Sequence, residues 1–248
     1  MKSLKVCLIG YGKLGSSIAK GLRNAGVEVT VSTLPPTDEW AREDGFSVVP
    51  MRACAEGVDL IIVAVPPSAV PAVMKELRGV EVPITSTAAL VKLGELKKYA
   101  DKVYRVMPSV TVEVNSSPVL VAERGGGADS VVEAVWGKLG KVYWVNERVL
   151  DAALPVVGSG PAVHAEYFRS AVEALVASGV ERSLAEELAR ESIIGTIKML
   201  EKYDPYKLRS KVETPGGITV EMLLKLEEEG VFGKIAKVLG EKGRELSR

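Results

Sequence analysis

The 248-residue chain has the length of one large domain or two modest ones. Hydrophobic residues make up 47% and charged residues 26%, which excludes a chain dominated by disorder. The 32 basic residues balance 32 acidic ones, and no long basic run indicates a nucleic-acid partner. The longest apolar runs, such as residues 60–67, are too short to span a bilayer, so we expect no membrane contact.

Cysteine and histidine are scarce in the chain. Cys7, Cys54 and the single histidine, His164, cannot supply a His/Cys zinc site of the usual four-ligand kind, so no metal is expected. Cys7 lies in an apolar strand pattern, where it is interpreted as a small buried hydrophobe. The N-terminus runs directly into a predicted strand without the longer apolar region of a secretory signal, so the expected location is cytoplasmic.

The first part of the chain alternates predicted strands with predicted helices. The strands are predicted at residues 5–9, 27–32, 58–65, 82–85, 103–107, 119–122 and 142–145, and the helices at 14–25, 68–77 and 129–139. This α/β alternation predicts a parallel, doubly wound sheet with right-handed crossovers, a Rossmann-type domain over residues 1–146. The glycines at 125–127 lack the Lys-Ser/Thr ending of a phosphate loop and predict a flexible turn.

The second part of the chain, residues 147–248, is predicted to be all-α. Residues 162–178, 184–200 and 220–229 show helical periodicity with charged outer faces. One side of the 184–200 helix is apolar, and we interpret it as the core of a helical bundle. Its apolar residues are Leu188, Ile193, Ile194, Ile197 and Leu200.

A glycine fingerprint joins the first predicted strand to the first predicted helix. It reads Gly10, Tyr11, Gly12, Lys13, Leu14 and Gly15. Gly10 permits the tight turn, Gly12 lets the backbone approach a pyrophosphate, and Gly15 permits close helix–strand packing. Phosphates then sit at a helix N-terminus, against its unpaired N–H groups. In this context the pattern predicts a dinucleotide site; the alternative is a glycine-rich turn without a ligand.

The end of the second predicted strand carries hydroxyl groups. Ser32 and Thr33 can donate to phosphate oxygens, and the next acidic residue is Asp38. A carboxylate at this place binds a ribose 2′-hydroxyl and repels a 2′-phosphate, so its absence favours NADP, with NAD as the alternative. Surface-loop hydroxyls without a ligand are the other explanation.

The third predicted strand ends in Ala64, Val65, Pro66 and Pro67. Ligands of open α/β sheets bind beyond the carboxyl ends of the strands, so the first three residues are expected to line the ribose and nicotinamide. Two prolines also form a simple strand stop, and both roles are compatible.

Two glycine-containing loops precede predicted helices in the second part. They read Gly158-Ser159-Gly160-Pro161-Ala162 and Thr214-Pro215-Gly216-Gly217-Ile218-Thr219. Ser159 and Thr219 suit the N-cap position, and capping alone explains both loops. Consecutive glycines also let a backbone approach a ligand, and N–H groups at a helix start attract carboxylates, so a substrate site is the functional alternative.

Together with the glycine fingerprint, these loops resemble pyrroline-5-carboxylate reductase, in the 6-phosphogluconate dehydrogenase-like C-terminal domain superfamily. The resemblance covers nearly the whole chain and includes residues 195–200 and the segment Arg105-Val106-Met107-Pro108. It implies a Rossmann domain followed by a helical domain that dimerises by interlocking, with an active site shared between subunits of a homodimer or higher homo-oligomer. It also places Met107 and Pro108 near the nicotinamide.

The resemblance implies NADPH-dependent reduction of 1-pyrroline-5-carboxylate, a small imino acid, to L-proline. Thr219 then hydrogen-bonds the substrate while amides near Gly216 and Gly217 hold its carboxylate, and Thr214 and Ser159 belong to the same site. A cyclic imine binds already protonated, so no side-chain acid is needed. His164 is expected in a structural or interface role.

The chain departs from the family at three places. Ser109-Val110-Thr111 follows Met-Pro where the family has Asn-Thr-Pro, Pro66 stands where a lysine is usual, and Val163-His164 replaces an aromatic residue. The alternatives are a reductase of another imine or keto acid in the superfamily and a non-catalytic NADP-binding regulatory protein. A β-hydroxyacid dehydrogenase usually has a catalytic lysine on its long interdomain helix, whereas Lys198 lies in the next predicted helix, 184–200, and is easily mistaken for it.

Overall fold

The computed structural model describes residues 3–248 and contains one eight-stranded sheet. Its strands are β1 (Lys5–Ile9), β2 (Glu28–Ser32), β3 (Ser47–Val48), β4 (Leu60–Val63), β5 (Ile84–Ser86), β6 (Val103–Met107), β7 (Ser117–Ala122) and β8 (Gly140–Val145). They lie in the order β3-β2-β1-β4-β5-β6-β7-β8. All neighbours are parallel except the antiparallel pair β6–β7. The predicted Rossmann-type, doubly wound sheet is confirmed.

Helices connect the strands and make up the C-terminal part. They are α1 (Lys13–Asn24), α2 (Thr37–Glu43), α3 (Met51–Cys54), α4 (Val70–Glu76), α5 (Leu93–Leu96), α6 (Asp129–Trp136), α7 (Glu147–Val157), α8 (Gly160–Ala177), α9 (Arg182–Leu200), α10 (Pro205–Ser210), α11 (Ile218–Glu228) and α12 (Val231–Leu246). Two 3-10 turns cover Pro67–Ala69 and Val110–Val114. Within residues 3–248, no helix has both the length and the apolarity that a membrane span requires.

The centre of the sheet is buried on both faces, as its apolar strands predict. All four residues of β4 are inaccessible to solvent. Leu60 and Ile62 pack in one apolar cluster with Trp136, whereas Ile61 and Val63 pack in the cluster on the other face. Successive residues of a strand point to opposite faces, so each face of β4 requires its own layer of helices.

The described chain divides into two compact units. One extends to Pro161 and includes Lys242–Arg248, and the other is Ala162–Glu241. In the first unit, α7 lies against the sheet, where Leu150 packs with Met107 and Leu120. The domain boundary predicted after residue 146 differs from this division and stays a prediction.

The second unit has a small core of its own and many exposed apolar side chains. Its core contains Val172, Ala185 and Ala189. In contrast, the predicted bundle face of α9 is open, with Ile197 57% exposed and Leu188 46% exposed. The prediction that this face is a buried core is therefore wrong for a single chain, because periodicity identifies an apolar face but not what covers it.

Cys7 and Cys54 form a disulfide bond in the structure, which the sequence analysis did not predict. Both residues are buried, Cys7 in β1 and Cys54 at the end of α3, with Cα atoms 5.3 Å apart. They are 47 residues apart in sequence, and only the pairing of β1 with β4, which follows α3, brings them together.

The elements that the sequence analysis missed are mostly short. α2, α3, α5 and β3 have too few residues for a periodic pattern to emerge. The longer α12 contains Gly233, Gly240 and Gly243, which weaken its helical pattern. Gly243 is required there, since a Cβ at this position would lie 2.6 Å from the carbonyl oxygen of Ala152.

Candidate active site

A cleft of about 530 Å³ lies at the carboxyl ends of β1, β2 and β4. Seven of the residues predicted to bind a cofactor line it: Gly10, Gly12, Ser32, Thr33, Ala64, Val65 and Pro66. Other parts of its wall come from the β2–α2 loop with the start of α2, and from the 3-10 turn and α4 that follow β4: Leu34, Pro35, Thr37, Ala69, Ala72, Val73 and Glu76. The edge of the sheet at which α/β folds bind nucleotides therefore carries a cleft built from the predicted segments.

The three fingerprint glycines have different surroundings. Gly10 has φ +99°, and a Cβ there would lie 2.6 Å from the carbonyl oxygen of Ala64. A Cβ on Gly15 would overlap the carbonyl oxygen of Gly10. A Cβ on Gly12, however, would meet no atom within 4 Å. Gly10 and Gly15 are thus required by the fold, whereas the space in front of Gly12 is open to a ligand.

The start of α1 presents unpaired amides to this open space. Gly12 occupies the N-cap position without a side-chain cap, and the first turn contains no acidic residue. Among the described residues, the N–H groups of Gly12, Lys13 and Leu14 have no acceptor. Because a helix N-terminus carries partial positive charge, free donors of this kind suit an anion such as a pyrophosphate.

Tyr11 fixes the glycine loop to the protein. Its ring is buried, and its hydroxyl donates a 2.8 Å hydrogen bond to Asp44, which also pairs with Lys20 at 3.0 Å. Burial, with the neighbouring carboxylate, raises the pKa of Tyr11 well above its usual value. Hydrogen bonds from Tyr11 and Lys20 lower the pKa of Asp44, so the carboxylate stays ionised. Sequence analysis missed this contact because its partners lie 33 residues apart.

The hydroxyls at the end of β2 have different roles. The Thr33 hydroxyl accepts a hydrogen bond from the Tyr11 amide at 3.2 Å and lies 2.6 Å from the Thr37 hydroxyl. The Ser32 hydroxyl has no hydrogen-bond partner in the part of the chain that the structure describes, and Ser32 lines the cleft. Thr33 therefore supports the loop, while Ser32 remains available to a ligand.

Met107 is the last residue of β6 and Pro108 follows it, and neither lines this cleft. Met107 is buried and lies near Gly158, where a Cβ would be 3.9 Å from its sulfur. The next residue, Ser109, is buried and caps the 3-10 turn by accepting from the Thr111 amide at 3.4 Å. The Ser-Val-Thr departure from the family pattern thus forms a closed local turn.

A network of charged side chains surrounds the buried Arg105 in β6. Arg105 is 2% exposed and donates to Asp151, which is fully buried, at 2.5 Å, and to Glu147 at 2.8 Å. Lys92 reaches the other oxygen of Asp151 at 2.5 Å. Burial alone would raise the pKa of Asp151, but hydrogen bonds from Arg105 and Lys92 bring it below the usual value. An arginine in a buried strand requires such a partner, a signal that the sequence analysis did not use.

The first predicted substrate loop joins α7 to α8. Ser159 directly precedes the first residue of α8 and donates its amide to the carbonyl of Leu154 at 3.1 Å. Its hydroxyl has no hydrogen-bond partner within residues 3–248. His164 and Lys198, on α8 and α9, are both exposed. A substrate role for Ser159 stays a prediction.

The second predicted substrate loop differs from expectation at its cap. The N-cap of α11 is Gly217, not Thr219, because Gly216 turns with φ +70° and Gly217 is extended and donates its amide to Thr214 at 2.9 Å. The amides of Ile218 and Thr219 have no acceptor among the described residues. The substrate roles of Thr214, Gly216, Gly217 and Thr219 stay predictions.

Two family models match separate parts of the chain. The model described as pyrroline-5-carboxylate reductase dimerisation matches residues 147–244. The model described as NADP oxidoreductase, coenzyme F420-dependent, matches residues 5–89, which include the glycine loop and the cleft-lining turn after β4.

Known proteins resemble the chain over its full length. The fold is similar to pyrroline-5-carboxylate reductase of Streptococcus pyogenes, at TM-score 0.87 and 23% identity over 99% of this chain and 98% of that one. It is also similar to the NADP-bound pyrroline carboxylate reductase of Plasmodium falciparum, at TM-score 0.88 and 21% identity over 100% and 98%. Pyrroline-5-carboxylate reductase of Aquifex aeolicus is 29% identical over 96% of this chain and 94% of its own.

The relative from Arabidopsis thaliana, also a pyrroline-5-carboxylate reductase, is 30% identical over 100% of this chain and 97% of its own. Likeness of this extent includes both compact units and leaves no large part of either protein unmatched. The chain belongs to the pyrroline-5-carboxylate reductase family.

Proposed function

We propose that this chain reduces 1-pyrroline-5-carboxylate to L-proline, with NADPH as the hydride donor. The observation that carries the proposal is the set of free amides at the start of α1, which faces a nucleotide-sized cleft in a chain matched end to end by reductases of this substrate. The reaction is an oxidoreduction of a C–N double bond and the last step of proline biosynthesis.

The first unit supplies the residues that hold the dinucleotide. The amides of Gly12, Lys13 and Leu14 bind the pyrophosphate, while Gly10 and Gly15 keep the loop tight enough to present them. The bound nicotinamide supplies the hydride, so the chain's own tasks are binding, orientation and exclusion of water.

Further residues are proposed to position the two ends of the cofactor. Ser32 and Thr33 meet the adenosine ribose or its 2′-phosphate, which favours NADPH while NADH remains an alternative donor. Ala64, Val65 and Pro66 line the cofactor from the turn after β4, and Met107 and Pro108 support its nicotinamide end. Each of these residues stands at or just beyond a strand end.

The start of α11 is proposed to hold the substrate carboxylate. The unpaired amides of Ile218 and Thr219 lie at the positive end of the helix, and the Thr219 hydroxyl adds a third donor. Gly216 and Gly217 allow the substrate to approach the backbone, and Thr214 and Ser159 complete the site. The imine nitrogen binds already protonated, so the exposed His164 is not needed as an acid.

The active protein is proposed to be a homodimer, or a larger homo-oligomer, with a shared active site. Large apolar side chains are exposed on α8, α9, α11 and α12: Tyr167, Leu188, Ile197, Ile218, Met222 and Val238. An apolar surface of this extent indicates a protein partner rather than solvent. A second copy of the helical unit is the proposed partner, in accord with the dimerisation model that matches this region.

The test of the function is steady-state oxidation of NADPH by the purified chain. Turnover with 1-pyrroline-5-carboxylate, and none with a panel of keto acids, is the expected result. Turnover with a keto acid instead would favour another reductase of the superfamily. Tight NADPH binding without oxidation by any imine or keto acid would favour a non-catalytic regulatory protein.

The substitution Thr219→Ala tests the proposed substrate loop. We expect the KM for 1-pyrroline-5-carboxylate to rise about tenfold, the effect of one lost hydrogen bond to a charged group, while the Kd of NADPH stays unchanged. Thr196→Ala, on the exposed side of α9, is the matched control and should alter neither constant. A weakened Kd for NADPH with an unchanged KM would show that Thr219 does not contact the substrate.

A further inference from the structure

A second pocket adjoins the cleft at the end of β2 and has a volume of about 350 Å³. The cleft and this pocket share five wall residues: Ser32, Thr33, Leu34, Met51 and Glu76. Arg42, on α2, lines only the pocket. The two spaces are therefore continuous around the hydroxyls that end β2.

This inference rests on the proposed function, in which the glycine loop binds the pyrophosphate. The position of the pocket relative to that loop then identifies which part of the cofactor contacts the pocket. With the pyrophosphate at the start of α1, the adenosine extends along the sheet edge toward the end of β2. The ribose then lies beside Ser32 and Thr33, with its 2′ position at the border between cleft and pocket. The 2′ position is where NADPH carries a phosphate and NADH a hydroxyl.

The charges around this border do not favour an anion. Glu76 is exposed at the C-terminal end of α4, and within residues 3–248 no cation pairs with it. The guanidinium of Arg42 lies 2.7 Å from Asp38, which neutralises it. The hydrogen bond from Arg42 lowers the pKa of Asp38, so that carboxylate is ionised at neutral pH. Of the two charged residues that line the pocket, Arg42 is thus paired with a carboxylate, whereas Glu76 keeps an uncompensated negative charge beside the site of the 2′-phosphate.

We propose that Glu76 limits the preference for NADPH over NADH that the Ser32 and Thr33 hydroxyls provide, because its carboxylate opposes the 2′-phosphate, with Arg42 as the counter-charge. The 2′-phosphate carries up to two negative charges, whereas the 2′-hydroxyl of NADH carries none, so Glu76 acts on one cofactor only. Rossmann proteins with a carboxylate directly at the end of the second strand select NAD over NADP through a hydrogen bond to the ribose 2′-hydroxyl. Here the carboxylate comes from α4 and acts through charge.

Equilibrium binding of NADP⁺ and NAD⁺ by isothermal titration calorimetry tests this proposal without turnover. Glu76→Gln should tighten NADP⁺ binding by roughly fivefold to tenfold and leave NAD⁺ binding within about twofold. Arg42→Gln should weaken NADP⁺ binding by a similar factor, since Asp38 is then unopposed. Glu81→Gln removes one exposed negative charge ahead of β5 and serves as the matched control.

Two further readouts separate charge from shape. The ratio of kcat/KM for NADPH to that for NADH should rise in Glu76→Gln by the same factor as the binding ratio. The gain should shrink when the ionic strength is raised to about 0.5 M, because exposed charges are then screened.

An equal change in NADP⁺ and NAD⁺ binding would overturn the proposal, because Glu76 would then act on a part that both cofactors share, such as the adenine. An unchanged ratio of kcat/KM for NADPH to that for NADH in Glu76→Gln would overturn it as well. These failures leave the proposed function intact, since the enzyme would still bind a dinucleotide and reduce its substrate. Failure of the unaltered chain to bind either dinucleotide would instead reject the proposed function and this inference together.

Discussion

Gly12→Val should abolish tight cofactor binding while leaving the fold intact. Gly12 is extended at the N-cap of α1, so a valine adopts its backbone conformation without strain. A Cβ there meets no protein atom within 4 Å, and the side chain therefore enters the open space in which the pyrophosphate is proposed to bind. Displacing the pyrophosphate breaks its hydrogen bonds with the first-turn amides.

The magnitude follows from the bonds that are lost. Two charge-assisted hydrogen bonds at about 1.5 kcal/mol each amount to ~3 kcal/mol, which raises the Kd of NADPH roughly a hundredfold. Valine is a poorer N-cap residue than glycine, so the helix start loses up to about 1 kcal/mol and the Tm falls by about 2–4 °C. The effect on binding should therefore exceed the effect on stability.

Two other glycines serve as matched controls. Gly94→Val places the same side chain in open space on α5, away from the cleft, and should change neither the Kd nor the Tm appreciably. Gly15→Val forces a side chain onto the Gly10 carbonyl and should destabilise the fold by about 3 kcal/mol or more. Fluorescence titration with NADPH and thermal unfolding measure both quantities on each variant.

Unchanged NADPH affinity in a folded Gly12→Val protein would refute the assignment of this loop to the pyrophosphate. So would a collapse of the fold equal to that of Gly15→Val, because Gly12 would then be a structural glycine. Only the combination of a stable fold with lost binding supports the proposed site.

Three other substitutions test the interior and the helical surface. Asp151→Asn should lower the free energy of unfolding by about 3 kcal/mol at pH 7, because Arg105 stays buried without its counter-charge. The folded-state pKa of Asp151 is depressed, so its stabilisation is present above pH ~4, disappears as pH falls through that lowered pKa, and is missing from the variant at every pH. Cys54→Ala should lower stability by about 4 kcal/mol, since the bond to Cys7 closes a segment with a sequence separation of 47. Ile197→Glu should halve the mass measured by light scattering, because a charge then lies on the proposed dimer surface.

Each of these expectations has a distinct contrary result. Urea titrations measure the free energy of unfolding at each pH. If this free energy falls with acid in Asp151→Asn as it does in the unaltered chain, Asp151 does not contribute to the pH dependence of stability. Unfolding of the unaltered chain that is insensitive to dithiothreitol would contradict a stabilising Cys7–Cys54 bond. A full-mass oligomer of Ile197→Glu would place the interface elsewhere on the helical unit.

The sequence by itself determined the Rossmann sheet and the position of its glycine loop. Both depend on local patterns: continuous apolar strands that must be buried on two faces, and Gly10, Gly12 and Gly15 at fixed spacing between a strand and a helix. The family resemblance followed from the same short segments, and it agrees with relatives that match the whole chain. Such a local pattern can be recognised in the sequence because the residues that form it are close together in the chain.

Tertiary structure alone decided which distant residues share a site. Asp151 meets Arg105 across 46 residues, and Glu76 joins Ser32 at the cleft because strand pairing brings α4 beside the end of β2. Gly217 rather than Thr219 caps α11 because the turn at Gly216 sets where the helix begins. Such relations depend on register and packing between segments that are far apart in sequence, and hydrophobic periodicity within one segment carries no information about them.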